Sequence, residues 1–238
     1  MHIPKKLIPL AMIILLIPII LPISSLSASS IKWSESYGAT NAEIAFSVVQ
    51  ASDNGFLLVG KRNFYDGSLD DFWLVKTGEY GDLKWDQTIG GDENDVPYCV
   101  ITTSDGGFAL VGFTDSFGSG DSDFWLVKTD SLGNVQWNQT YGGSGTDCAQ
   151  SVIETSDGGF ALVGFTDSFG SGDSDFWLVK TDSLGNMVWD QTFGGTEADV
   201  AYSGIEASDG GFALVGFTDS FGSGDSDFWL VKTDSLGN

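Results

Sequence analysis

The chain has 238 residues, with 33 Asp and Glu against 10 Lys and Arg, a formal net charge of -23 and a single histidine, His2. Without another imidazole, a Ser-His-Asp or Cys-His triad and a histidine-bound zinc are excluded, and so large an acidic excess argues against nucleic acid, whose phosphates are met by Lys and Arg. Two cysteines cannot build a disulfide scaffold, and 42 % apolar with 13 % aromatic residues is too much for a disordered acidic chain.

Residues 1–30 differ from the rest. Lys5 and Lys6 precede an uncharged apolar run over 7–23, followed by the small-residue stretch Ser24-Ser25-Leu26-Ser27-Ala28-Ser29. This is the pattern of a secretory signal peptide. The alternative is an uncleaved N-terminal membrane anchor, although 17 apolar residues are short for a span and Pro9, Pro18 and Pro22 interrupt a helix. Either way, 31–238 is expected outside the cytoplasm. Cleavage would remove two bases and no acid, leaving 8 against 33, or -25.

Residues 31–238 repeat. Trp33, Trp85, Trp137 and Trp189 form one series with a step of 52, and Trp73, Trp125, Trp177 and Trp229 form another. The segments 104–134, 156–186 and 208–238 are identical, and 52–82 is a diverged copy. In one period, 96–103 reads as a strand rich in β-branched and aromatic residues. Ser104-Asp105-Gly106-Gly107 is a turn. Residues 108–114 form a second strand, apolar on both faces and so buried on both. A polar Gly-rich loop runs over 115–121. A third strand, 123–129, carries Trp125. Asp130-Ser131-Leu132-Gly133-Asn134 turns into a fourth strand, 135–141, with Val135, Trp137, Gln139 and Tyr141 on one face. Gly142-Gly143 ends the unit. No apolar stripe of helical period extends beyond two turns after the leader.

Four short antiparallel strands repeated every 40–50 residues are the signature of a β-propeller blade. The expected fold is therefore all-β: a propeller of four 52-residue, four-stranded blades over 31–238, with aromatics filling the wedges between blades. Trp33-Ser34-Glu35-Ser36-Tyr37-Gly38 matches the fourth strand of a period, as in Trp137-Asn138-Gln139-Thr140-Tyr141-Gly142. The N-terminal strand is thus expected to complete the last blade and close the ring. The alternatives are part of a larger propeller, or an open ring that dimerises.

The pattern W-x-x-T-[YF]-G-G, then T-S-D-G-G-F-x-L-x-G-x-T, then D-F-W-L-V-K-T-D-x-x-G resembles repeats found in secreted and cell-surface β-propeller proteins of archaea and bacteria. The resemblance covers 31–238 and implies an extracellular surface protein; it names no ligand. Asp130-x-x-Gly133-x-x-x-Trp137 also resembles the blade motif of quinoproteins, which implies how a Trp docks between blades rather than a cofactor.

Several groups could carry chemistry. The acidic loops hold Asp115, Asp121 and Asp123, repeated as Asp167, Asp173 and Asp175 and as Asp219, Asp225 and Asp227. They could ligate calcium, or they could cap turns. Asp92, Glu93, Asp95, Glu154, Asp199 and Glu206 could supply a carboxylate pair for glycoside chemistry. The individuality of the later repeats lies in the first and fourth strands, so a specific site would draw on Tyr98, Gln150, Glu154, Tyr202 and Glu206. Lys61-Arg62-Asn63-Phe64-Tyr65 sets a basic pair beside aromatics, for an anionic or sugar ligand or simply as a divergent hairpin. Cys99 and Cys148 are offset by three residues between neighbouring first strands, roughly 10 Å, which favours free thiols. Asn138-Gln139-Thr140 is a glycosylation sequon. The expected role is non-enzymatic: an extracellular binding or structural module, monomeric, without cofactor and with an unidentified surface protein or glycan as partner. A lectin-like propeller and a polysaccharide-acting enzyme are the alternatives.

Overall fold

Each period folds into a sheet of antiparallel strands in sequence order. In the computed structural model, which describes residues 32–38, 42–63 and 69–238, the first sheet is β1 (Glu43–Gln50), β2 (Phe56–Asn63), β3 (Asp70–Thr77) and β4 (Leu83–Ile89). The second is β5 (Asp95–Thr102), β6 (Phe108–Thr114), β7 (Asp123–Thr129) and β8 (Val135–Tyr141). The third is β9 (Asp147–Glu154), β10 (Phe160–Thr166), β11 (Asp175–Thr181) and β12 (Met187–Phe193). The fourth has three strands, β13 (Asp199–Glu206), β14 (Phe212–Thr218) and β15 (Asp227–Lys232). There is no helix among the described residues, and hence none long and apolar enough to cross a membrane. The proposed leader, 1–30, lies outside the described residues.

The arrangement is blade-like. The outer strands β4, β8 and β12 are half exposed, whereas β6, β7, β10 and β11 are buried on nearly every residue. Three apolar clusters form, each between one sheet and the next. At their centres the Phe of one third strand meets the Trp of the next. Phe72 and Trp125 have ring centroids 4.7 Å apart, Phe124 and Trp177 4.6 Å, and Phe176 and Trp229 4.7 Å. The wedge aromatics expected from the 52-residue step are in place, and the three steps along the array are alike. A lone sheet of this kind could not bury both faces, so neighbours supply the hydrophobic term.

The turn glycines follow from geometry. Gly81, Gly133, Gly185 and Gly237 have φ between 78° and 84°, open to glycine at no steric cost. Each also lies under a Trp, which for Gly133, Gly185 and Gly237 belongs to the preceding outer strand: a Cβ on Gly185 would lie 2.7 Å from the Trp137 ring, and one on Gly133 would lie 2.6 Å from Trp85.

Trp33–Gly38 forms no strand and does not join β15. It lies across the first sheet, where Trp33 packs on Phe56 at 6.0 Å and the Tyr37 hydroxyl donates to the Gly81 carbonyl at 2.6 Å. The sheets follow the expected order, but the fourth sheet lacks its fourth strand and its outward face is bare.

Candidate functional site

The first strand of every sheet carries a bulge at the same phase. Pairing of β1 with β2 skips Phe46, of β5 with β6 skips Tyr98, of β9 with β10 skips Gln150, and of β13 with β14 skips Tyr202. Two residues then oppose one, and the side chain at the bulge is re-aimed. The partner strand must be glycine there. A Cβ on Gly112 would lie 1.9 Å from the Val96 carbonyl oxygen, and one on Gly164 would lie 2.0 Å from that of Cys148. The bulge also explains Pro97 in β5: proline is tolerated in a strand at an edge or a bulge.

Three of the residues singled out on the inner strands, Tyr98, Gln150 and Tyr202, are thus the bulge residues, and Phe46 is the fourth. The 52-residue step from Tyr98 points to Phe46, but β1 lies in the diverged first period. Phe46 meets Tyr98 edge-on at 5.4 Å, and Tyr98 and Tyr202 each rest 6.1 Å from the phenylalanine on the neighbouring strand, Phe113 and Phe217. Further along, the four inner strands share a cleft of about 620 Å³ whose walls include Val49, Ile101, Ile153 and Ile205.

Glu154 and Glu206 also line this cleft, and both are engaged. Glu154 accepts from the Ser104 backbone N–H at 2.8 Å and hydroxyl at 2.7 Å; Glu206 does the same for Ser156 at 2.8 and 2.6 Å. Each ties its own sheet to the turn of the preceding one.

The acidic loops divide their three carboxylates. Asp115 and Asp167 accept from the hydroxyls of Ser122 and Ser174. Asp121, Asp173 and Asp225 are exposed at the loop tips, and Asp219 is exposed as well. Asp123, Asp175 and Asp227 turn inward and accept from the N–H of Ser119, Ser171 and Ser223. Turn capping is therefore present, and no group of three or more His, Cys, Asp or Glu able to hold a metal occurs among the described residues.

Asp123 and Asp175, and Asp71 at the same phase of the first period, are each paired with a second aspartate. Asp123 and Asp147 flank Gly142, whose Cβ would lie 1.8 and 2.6 Å from their oxygens; Asp71 with Asp95 flank Gly90, and Asp175 with Asp199 flank Gly194, in the same way. This explains the first glycine of the W-x-x-T-[YF]-G-G pattern. Asp147 accepts from Thr166, Ser168 and the Gly143 N–H. Asp95 accepts from the Gly91 N–H at 2.7 Å and Ser116 at 2.9 Å. The sequence reading missed Asp71 and Asp147, although the step of 52 from Asp123 and Asp95 reaches both.

Burial pushes Asp71 up to about 6, helped by the charges of Asp95 and Asp70. Asp123 and Asp175 are raised first by burial and then by Asp147 and Asp199, against the pull of the Ser119 and Ser171 N–H groups. Other aspartates move the opposite way. Burial would raise Asp105, but the Lys128 ammonium, the Thr103 hydroxyl and the Gly107 N–H outweigh it and hold it at about 2. Asp157 is held at about 2, first by the Thr155 hydroxyl and then by the Gly159 N–H and Lys180, against burial. The lysines partnering these two acids are themselves buried.

A stability optimum near pH 4 follows. The raised acids bind a proton more tightly when folded, so their contribution is complete below the ordinary 3.8 and is lost as pH rises toward about 6. The lowered acids contribute above 3.8 and lose that contribution as pH falls toward about 2. Thermal melts from pH 2 to 8 should show Tm falling between pH 4 and 6, and Asp71→Asn should flatten that fall. A Tm that climbs steadily from pH 4 to 7 would contradict the pairing.

The remaining candidates have structural partners. Lys61 pairs with Asp70 at 2.5 Å, and Arg62 sits 5.1 Å over the Trp73 ring and 3.5 Å from Asp86. Of their neighbours, Phe64 and Tyr65 lie outside the described residues. Cys99 and Cys148 are free; burial raises both thiols, that of Cys148 to about 12. Asn138 is exposed, and its carbonyl oxygen accepts from the Trp125 indole at 3.2 Å, as Asp86 and Asp190 do for Trp73 and Trp177.

After the third strand each period presents a turn, closed by backbone bonds alone at 78–82 and braced by an aspartate in the other three. Asp130 accepts from the Leu132 and Asn134 N–H groups and the Asn134 amide, and Asp182 and Asp234 build the same turn. At its tip stands one exposed apolar side chain: Tyr80, Leu132, Leu184 and Leu236, exposed by 72, 66, 62 and 66 %. Neither a protein-family model nor a curated protein matches the chain.

Proposed function

We propose that the protein is a non-enzymatic interaction module of the cell exterior, a β-propeller whose last blade takes its fourth strand from a 33–38 segment. The observation that carries the binding role is the row of four turns, three of them braced by an aspartate, each holding one exposed apolar side chain at the same phase of the repeat. Exposed apolar groups on preorganised turns lose little entropy on contact, and equal weak contacts multiply in avidity. The occupation of Glu154 and Glu206 by serines supports a role without turnover. The apolar, uncleaved or cleaved leader supports an exterior location, and the acidic surface supports solubility there.

A carbohydrate ligand is the second reading, favoured by the aromatic bulge residues Phe46, Tyr98 and Tyr202 with the Gln150 amide among them. One surface-binding experiment separates the two, with envelope fragments of the source cell immobilised on one channel and its envelope polysaccharide on another. Leu132→Asp, then Leu184→Asp, then Leu236→Asp should weaken binding to the fragments severalfold at each step. Binding untouched by the triple variant defeats the multivalent reading. Binding to the polysaccharide that Tyr98→Ala and Tyr202→Ala abolish establishes the carbohydrate one.

A further inference from the structure

We infer that the two end faces of the array are halves of one interface, and that the occupant of each is a second copy of this chain, docked head to tail. The interior shows what that interface is. Val111, Phe124 and Leu126 are wholly buried, in one cluster with Tyr141, Ala149, Leu162, Trp177 and Val179. Two periods later, the same projecting residues are Val215, Phe228 and Leu230, exposed by 43, 100 and 69 %. Two periods earlier, the receiving residues are Tyr37, Ala45, Leu58, Trp73 and Val75, which line an open cleft of about 210 Å³. A projection without a socket stands at one end, and a socket without a projection at the other. Both are made of residues that fit each other inside the same molecule.

The segment 33–38 strengthens the match. The Tyr37 hydroxyl reaches the Gly81 carbonyl at 2.6 Å, as Tyr141 reaches Gly185 at 2.6 Å. A Cβ on Gly81 would lie 2.7 Å from the Trp33 ring, as one on Gly185 would from Trp137. Trp33 and Tyr37 thus hold the places of an outer strand belonging to a preceding blade. The three-stranded sheet β13–β15 is a blade lacking that strand.

The equal steps choose between this chain and another as the source. Phe-to-Trp separations of 4.7, 4.6 and 4.7 Å show one step repeated three times. A four-fold step would return the fourth sheet to the first and bury Phe228 there; instead Phe228 is bare. Equal steps therefore call for a further blade of the same kind, and the first sheet of a second copy presents one. Two copies give eight blades, within the usual range of about four to eight. A ring with two such junctions closes without leaving an open end.

The inference rests on the reading that a 33–38 segment completes the last blade, and the test separates the two. In light scattering, the protein should have twice the chain mass. Phe228→Asp, which spoils the projection, and Ala45→Arg, which fills the socket, should each give one chain mass. Mixed, the two variants retain one intact junction and should cross-link as a pair, which also shows that both are folded. Hydroxyl-radical footprinting should find Phe228 protected in the native protein. A single-chain mass overturns the docking of a second copy, as does a mixture that never pairs. A single-chain mass with Phe228 protected leaves strand completion standing within one chain; with Phe228 reactive, strand completion falls too.

Discussion

Trp177→Ala is expected to cost about 3–5 kcal/mol, the range for deleting a buried aromatic whose cavity cannot collapse. Trp177 is 1 % exposed and is shared by two sheets: Phe124 of the preceding one packs on it, tilted, at 4.6 Å, and Phe169 of its own loop covers it at 5.2 Å. Its indole N–H donates to Asp190 at 2.9 Å, so truncation also strips that carboxylate of a partner. The surroundings are strands held on both sides, which limits relaxation. A Tm lower by roughly 10 °C or more is the corresponding thermal shift for a chain of this size. Trp229→Ala should cost less: Phe176 and Phe221 cover Trp229 at 4.7 and 5.2 Å much as their counterparts cover Trp177, but Trp229 is only half-buried and, among the described residues, no strand lies on the outer side of β15. Equal losses at Trp177 and Trp229 in urea denaturation would mean that the outer strand beside Trp177 contributes little.

Gly164→Ala is the second large effect. The added methyl would lie 2.0 Å from the Cys148 carbonyl oxygen and 2.9 Å from the Ala149 Cα, and both are backbone atoms of the bulged strand. A flexible side chain could move aside; a hydrogen-bonded strand cannot without losing pairing. Overpacking of this kind costs about 1–3 kcal/mol, and a backbone obstacle places it at the upper end. The damage should spread, because Gln150 beside the crossing is the bulge residue of that sheet. Gly158→Ala is the comparison. Its hypothetical Cβ meets nothing within 4 Å, so only the strain of φ 82° is added. Chemical denaturation of the pair should rank Gly164→Ala as the more destabilising, and the reverse order would remove the close approach as the cause.

Strand positions were legible because two signals coincided. Asp-Gly, Gly-Gly and Leu-Gly-Asn turns fix the strand ends, and the 52-residue step repeats each end three or four times. The second, third and fourth strands of the 96–143 period occur at the residues expected, and the first begins one residue earlier, at Asp95. The bulges were hidden. Gly112 and Gly164 read as ordinary members of an apolar strand, and nothing in a residue's type says that another backbone crosses above it. Only the observed register, with Tyr98 and Gln150 skipped, shows why glycine is needed. The aspartate pairs were hidden for a related reason. Asp123 and Asp147 are 24 residues apart, and they meet because the loop before β7 folds back under Gly142. The acidic loop looked like a cluster of three equivalent carboxylates, yet its geometry sends one inward, one to a serine and one to water. The order of sheets followed from the repeat. What lies beyond the last sheet did not, since a periodic pattern gives the content of each step and not the angle between steps.

The identical segments 104–134, 156–186 and 208–238 carry a consequence for heredity. Each sheet touches chiefly its immediate neighbours, so stability accrues step by step, as in other one-dimensional arrays. Crossing-over between misaligned copies of the same stretch would add or delete 52 residues at a stroke, and every surviving junction would still be of native kind. Length in such a gene would change in steps of one repeat, so related strains should differ by integer numbers of blades.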